Sequence, residues 1–359
     1  MKRHIFFIGT LRNGGAERVV SMLASRMAEQ GIDTEVLMYY DKPVFYEVSP
    51  KVKLTVVEKE SGTKSKVKNL FWLRKYFKQN AKAVISFLAP FNIMAIAANL
   101  CNGTPIIAAD RNDPTRVPSK LLIRKVRDFL YRFADGIVVQ TLKNKAYFSK
   151  AVQKKSIVIY NPVDLKDDTG AALKETKEKK IVTAGRLMPQ KNHKMMIRAF
   201  AEVMKNHPEY ELVIYGDGPS DTELNNLVKE LGISSNVSFP GNVKDLHDRI
   251  KSAELFVLSS DYEGMPNALI EAMCLGLPVV STKVSGATDL VKHGENGLLV
   301  DCGNCKQLEE AIDSLLSDPE KMNKFAKESV KLSNELKVDV IVREWMDYIN
   351  EIIAKKNIT

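Results

Sequence analysis

Two carboxylates eight residues apart, Glu263 and Glu271, and two cations five apart, Arg186 and Lys191, are the residues of this chain best suited to do chemistry. Carboxylates accept hydrogen bonds from sugar hydroxyls, and paired cations clamp diphosphates. Glu263 stands in the turn Glu263-Gly264, directly before a stretch with helical spacing, and Glu271 lies about two turns further along that helix. Small residues around the turn allow backbone N–H groups to approach a ligand, and a helix start favours negative charge. Together these groups suit a ligand that carries both hydroxyls and phosphates. The plain alternative is an N-terminal Glu that favours the helix dipole, a second Glu on the helix flank, and two solvated surface cations.

The elements that must hold these residues follow from the apolar pattern. The apolar run Leu255 to Leu258 ends in Ser259-Ser260-Asp261, a helix follows over Met265 to Leu275, and a second apolar run covers Pro278 to Ser281. That is a strand–turn–helix–strand unit of a parallel α/β sheet. Arg186 and Lys191 occupy the loop between a strand over Lys180 to Ala184 and a helix over His193 to Asn206. Further strands are expected at Glu211 to Tyr215 and Val237 to Phe239. In the first half, a strand over His4 to Gly9 leads through a Gly14-Gly15 turn into a helix from Ala16 to about Gln30, with Val19, Leu23 and Met27 facing the core. That turn can present N–H groups to an anion. Strands follow at Thr34 to Tyr39, Lys53 to Val56, Ala83 to Phe87, Ile106 to Ala109, Gly136 to Val139 and Ile157 to Ile159. GxGxxG is absent, which disfavours a nicotinamide cofactor.

Glu263-x7-Glu271 inside EGMPNALIEAMCLGLPVVST, with GENGLLV after it, resembles the signature of glycosyltransferase family 4, a family of retaining, nucleotide-sugar-dependent enzymes with the GT-B fold. GGAERV resembles the family's N-terminal loop, and NPVD at Asn161 to Asp164 resembles its inter-domain junction. The resemblance implies an α/β fold of two Rossmann-like domains with parallel sheets facing a cleft. Residues 1–162 would bind acceptor and residues 163–338 the nucleotide sugar. A terminal helix over 339–359 would pack back on the first domain through Val342, Trp345, Ile349 and Ile352. The charged stretch Leu165 to Lys180 reads as a linker.

The same resemblance implies site roles. Arg186 and Lys191 match the Arg-x4-Lys pair that binds the donor diphosphate. Glu263 would hold hydroxyls of the donor sugar and Glu271 the ribose. Gly15 would face the donor, Gly216 would line the nucleotide pocket, and Asn242-Val243 would reach the base. Met265, Pro266, Asn267 and Ala268 form the helix start that faces the departing diphosphate. Several relatives carry a His in the region where this chain has Asp110-Arg111-Asn112-Asp113-Pro114. Arg111 is the nearest candidate there, to bind phosphate, to position the acceptor or to sit in a structural ion pair. No Asp-x-Asp occurs, so no metal and no resident cofactor are expected; the donor is a co-substrate.

With 359 residues the chain is long enough for two domains. It has no run of eighteen apolar residues and no signal-type cleavage site after MKRHIFFIGTLRNGG, and its four cysteines fit the cytosol. Cys302-Gly-Asn-Cys305 lacks a second pair and carries little weight as a metal or redox site. His193 and His293 read as surface residues. Residues 1–162 hold 28 Lys and Arg against 12 Asp and Glu, a balance of +16; residues 163–359 hold 25 against 32, a balance of −7. An anionic partner is thus expected for the first half only, an anionic membrane surface or nucleic acid. No basic–aromatic RNA motif or helix-turn-helix pattern supports nucleic acid.

Two segments are basic and apolar at once, Lys64 to Lys82 and Arg116 to Asp135. Each could lay Leu, Phe or Trp into a membrane interface. The favoured expectation is an amphipathic helix that buries its apolar face in the domain. The expected activity is transfer of a hexose or N-acetylhexosamine from a nucleotide sugar, a UDP-sugar for preference, to a lipid-linked saccharide at the inner face of the cell membrane, in surface polysaccharide or glycan assembly. A soluble acceptor and a sugar-nucleotide epimerase of the same fold are the alternatives.

Overall fold

A computed structural model describes residues 2–58, 66–165 and 169–358. Lys64, Ser65 and residues 166–168 of the stretches considered above lie outside the described residues. The chain forms two compact units, residues 1–164 with 336–359, and residues 165–335.

The first unit carries seven parallel strands, β1 (Arg3–Ile8), β2 (Thr34–Tyr40), β3 (Lys53–Glu58), β4 (Ala81–Phe87), β5 (Ile106–Ala109), β6 (Gly136–Val139) and β7 (Ser156–Val158), in the order β3-β2-β1-β4-β5-β6-β7. His4 pairs with Thr34 on one side and Ala83 on the other, which fixes the register of the central strand. Side chains alternate across a strand. Phe6 and Ile8 therefore face a layer containing Leu23 and Met27 of α1 (Gly15–Glu29) and Trp345 and Ile349 of the last helix (Val338–Ile358). Ile5 and Phe7 face Leu73 and Phe77 of α2 (Lys66–Asn80) and Ala95 and Ile96 of α3 (Ala89–Asn99). The last helix is tied to α1 by Arg26, whose Nε donates to Asp339 at 2.5 Å. Val163 N donates to Leu336 O at 2.7 Å, so both crossings of the chain lie in this unit.

The helix α4 (Leu121–Leu130) packs on α3. It overturns the expectation of a buried apolar face. Leu121, Leu122, Ile123, Val126 and Phe129 are all exposed, and the one fully buried side chain is Arg127. The reason is a dense set of acceptors on the inner side. Arg127 donates to Val117 O at 2.6 Å and Pro114 O at 2.9 Å, pairs with Asp128 at 2.8 Å and Asp110 at 3.8 Å, and lies 5.3 Å from the Phe148 ring centre. In α2 the expectation holds for Leu73 and Phe77, whereas Val67 and Phe71 are exposed.

The second unit has six parallel strands, β8 (Glu178–Ala184), β9 (Glu211–Tyr215), β10 (Val237–Gly241), β11 (Ala253–Leu258), β12 (Val279–Thr282) and β13 (Leu298–Val300), in the order β10-β9-β8-β11-β12-β13. Its core joins Ile181, Ile214, Leu255 and Val257 to Met196 and Phe200 of the helix His193–Val203 and to Leu308 and Ile312 of the helix Cys305–Leu316. The helix Asn267–Leu275 packs on β11 and β12 and buries every residue from Leu269 to Leu275. It starts at Asn267, two residues later than the apolar spacing implies, because Pro266 occupies its N-cap. The expected linker is partly docked: Gly170 N donates to Cys274 O at 3.0 Å, and Ala172 is fully buried. Both sheets have the doubly wound order, with the strand order reversing at β1/β4 and at β8/β11.

Candidate functional site

In doubly wound sheets ligands bind beyond the carboxyl ends of the strands where the order reverses. In the second unit that place is built from the loop after β8, Gly185 to Asn192, and the loop after β11, Ser259 to Pro266. The two loops are stitched together by their own polar groups. Asp261 N donates to Gln190 O at 2.9 Å, Ser259 Oγ to Lys191 O at 2.9 Å, and Asn192 Nδ2 to Asp261 Oδ1 at 2.9 Å.

Within this frame Lys191 Nζ donates to Glu263 Oε1 at 2.6 Å. Ser260 Oγ donates to the same oxygen at 2.8 Å, and Gln190 Nε2 anchors to Tyr262 O at 2.8 Å. Glu263 is buried and Lys191 half-buried. An ammonium has three donors, so Glu263 fixes the cation and leaves donors for a ligand. Arg186, in the same loop, is exposed, and among the described residues its guanidinium has no hydrogen-bond or ion-pair partner. The structure thus brings Lys191 and Glu263 together and holds Arg186 outward. Beside them the helix Asn267–Leu275 starts with no side-chain cap; Met265 and Pro266 are buried and Asn267 and Ala268 half-buried.

Glu271 is buried on that helix, with its Oε2 3.2 Å from His247 Nε2. Sequence reading missed His247. The two lie 24 positions apart, and a lone His inside the five-residue helix Leu246–Ile250 gives no pattern to find. Burial, with Glu271 adding to it, pushes the neighbouring Cys274 thiol up to about 12, so Cys274 is an inert core residue.

Gly216 and Asn242 sit at the ends of β9 and β10. Gly216 has φ 136°, and a Cβ there would lie 2.0 Å from Gly185 O, so only glycine lets the two loops pass. Asn242 Nδ2 donates to Asp217 Oδ2, and Val243 is half-buried beside it. A further residue that sequence reading passed over is Gly286. A Cβ there would lie 2.5 Å from Gly264 O and 2.7 Å from Met265 Cα, so its absence sets the height of the turn that carries Glu263.

His193 is buried, contrary to the expected surface position, at the start of the helix His193–Val203. Burial, then the Lys191 charge, lowers its pKa to about 4. His293 is exposed, and its Nδ1 accepts from Leu299 N at 3.0 Å. Cys302 and Cys305 are free thiols, and among the described residues no group of three or more His, Cys, Asp or Glu could hold a metal ion.

Gly15 and Arg111 belong to the first unit, at the carboxyl ends of β1 and β5. Gly15 is exposed at the start of α1, whose N-cap Gly14 offers no side chain. Arg111 is buried, 5.5 Å from the Phe87 ring centre, and donates to the Asn161 side-chain carbonyl. Its Nε and Nη1 lack partners among the described residues. Burial, opposed by Asp110, lowers its pKa to about 9. Its hydrogen-bond partner is an amide and not a carboxylate, so the structural ion pair is not formed.

The chain is similar to known proteins in sequence and in fold. Residues 13–167 match the family described as Glycosyltransferase Family 4, and residues 166–332 match that described as Glycosyl transferases group 1. The chain is 30% identical to the Campylobacter jejuni GalNAc-alpha-(1->4)-GalNAc-alpha-(1->3)-diNAcBac-PP-undecaprenol alpha-1,4-N-acetyl-D-galactosaminyltransferase, over 98% of this chain and 99% of that protein. It is 29% identical to a second enzyme of that organism, the N-acetylgalactosamine-N,N'-diacetylbacillosaminyl-diphospho-undecaprenol 4-alpha-N-acetylgalactosaminyltransferase, over 92% of this chain and 94% of that one. Among solved structures, Anabaena HepE in complex with UDP-glucose is alike in fold, with a TM-score of 0.80 at 20% identity over 98% of this chain and 99% of that one. Among the described residues, no helix is long and apolar enough to cross a membrane.

Proposed function

The chain belongs to glycosyltransferase family 4, and on that premise we propose that it moves a hexose or N-acetylhexosamine from a UDP-sugar to a lipid-linked saccharide, with retention of configuration and without a metal. The observation that carries this reading is the Lys191–Glu263 pair at the β8/β11 reversal, with Arg186 held open in the same loop. The departing nucleoside diphosphate gains negative charge as the glycosidic bond breaks. Arg186, the remaining donors of Lys191 and the helix start at Asn267 stabilise that charge, and fixed groups do so without reorganising. Glu263 holds donor-sugar hydroxyls, and Glu271, steadied by His247, holds the ribose.

The acceptor assignment draws on the two Campylobacter relatives, which act on saccharides carried on undecaprenyl diphosphate. Arg111 is the acceptor-side candidate, since its buried guanidinium retains two nitrogens without partners among the described residues. The acceptor hydroxyl attacks from the leaving-group side, its proton passes to a donor phosphate oxygen, and no protein base is required.

The test is a transfer assay with a panel of nucleotide sugars and a polyprenyl-diphosphate saccharide, run with and without a chelator, with the new anomeric centre read by NMR. Transfer from a UDP-sugar, unchanged by chelator, with the donor's α or β configuration kept, is the expected result. Release of UDP with no acceptor present, or interconversion of sugar nucleotides, would count against transfer. Wild-type turnover in a folded Lys191→Ala variant would remove the diphosphate assignment.

A further inference from the structure

We infer that the outer face of α4 is a docking surface for an anionic lipid bilayer. The inference rests on the lipid-linked acceptor reading. A soluble unit buries large apolar side chains, yet α4 leaves Leu121 at 59%, Leu122 at 73% and Phe129 at 56% exposed. Ile123 and Val126 are exposed beside them, and Phe133 follows at the end of the helix.

This is not a loosely packed helix. Arg127 fixes its rotation, because the inner face offers carbonyls of Pro114 and Val117, the Asp110 carboxylate and the Phe148 ring, while Asp128 of the helix itself pairs with the same guanidinium. Rotating the helix to bury Leu122 and Phe129 would strip a buried guanidinium of those partners. The apolar face is therefore held outward by this buried polar cluster.

Charge identifies what covers it. At 100° per residue, Lys125 lies within about 60° of Leu122 and 40° of Phe129, flanking them on the outward face, and Arg132 is exposed just past the end of the helix. Lys120 and Arg116 lie just before the helix. Long cationic side chains among exposed apolar ones let the apolar tips enter the acyl boundary while the charges reach phosphate headgroups. The acids of the segment are engaged elsewhere: Asp128 with Arg127 and Tyr147, Asp135 with Lys356 and Ile106 N. A second copy of the same face would bring these cations against their own kind, whereas an anionic leaflet neutralises them. The +16 balance of residues 1–162 acts in the same sense.

The experiment is flotation of the full chain with vesicles of phosphatidylcholine alone and with equimolar phosphatidylcholine and phosphatidylglycerol. Wild type should float with the anionic vesicles and weakly with the neutral ones. The double variant Leu122→Glu/Phe129→Glu should lose affinity at least about tenfold, since two exposed apolar groups no longer enter the interface. Lys125→Glu/Arg132→Glu should fall to the neutral-vesicle level. Both variants change exposed side chains, and an unchanged melting curve confirms the fold. Wild-type binding by folded Leu122→Glu/Phe129→Glu, or no vesicle binding by wild type, overturns the inference. So does sedimentation showing a dimer that this variant breaks, without vesicle binding. Vesicle binding that depends on α4, in a chain that transfers no sugar to any acceptor, supports the docking surface while the functional reading fails.

Discussion

The two units share a strand order but use their buried cations differently. In the first, Arg127 is fully enclosed, with carbonyls, carboxylates and rings on every side, and it serves to orient a helix. In the second, Lys191 is only half-buried, held by one glutamate at the mouth of the sheet, and Arg186 beside it is open. Arg127 has its donors taken by the groups around it, whereas Lys191 is already placed by Glu263 and keeps further donors. The same fold thus carries one charged cluster that orients a helix and one that the proposed function uses for binding, and the division follows from how many acceptors each cation meets.

The sharpest way to break this comparison is to remove each cation and ask which property falls. Arg127→Met should destabilise the first unit by roughly 3–5 kcal/mol, because Asp110 is left buried without its cation. Denaturant unfolding would report it, with nucleotide affinity unchanged; equal stability would show that Arg127 does not orient α4. Lys191→Ala should shift the balance the other way, costing less stability than Arg127→Met because Ser260 Oγ still donates to Glu263 Oε1, while turnover drops by about 10²–10³, the usual cost of losing one preorganised charge partner. A loss of stability larger than the loss of rate would mean that the Lys191–Glu263 pair is architectural too.

Each unit also buries one histidine at a strand or helix start, which allows a matched test. Burial lowers His4 and His193 from 6.5 to about 4, with Lys82 and Lys191 adding to the shift. A folded-state pKa below the unfolded one means that the neutral ring is favoured. The contribution is complete above pH 6.5 and is lost as the pH falls from 6.5 toward 4. Each site should cost roughly 2 kcal/mol between pH 7 and pH 5. Urea midpoints across that range should fall, and His193→Gln should remove about half of the slope. The smallest effect is expected at Glu271. His247→Ala should weaken UDP binding by about 1 kcal/mol, the worth of a lost hydrogen bond, with kcat changing less than KM. A change confined to kcat would place His247 in the chemistry and not behind the ribose.

Much of this was legible before the structure. The unbroken apolar run Ile5 to Ile8 and the four-residue spacing of Val19, Leu23 and Met27 are local patterns, and each formed the element it implied. The spacing of Glu263 and Glu271 placed one carboxylate before a helix and one on it, where both are found. What stayed hidden depends on partners far away in the chain. His247 matters only because the fold brings Glu271 within 3.2 Å. Gly286 shows its use only when the Glu263 turn lies against it.

The sequence by itself determined the strands and helices, the order of apolar faces and the separation of basic from acidic halves, because these depend on neighbours a few residues apart. Only the tertiary structure decided which face of α4 turns inward. The heptad-like apolar stripe argues for burying Leu122 and Phe129, yet one guanidinium with several fixed acceptors outweighs it. Hydrophobic burial is non-directional and can be met elsewhere, by another surface; a buried charge accepts only the positions where its partners stand.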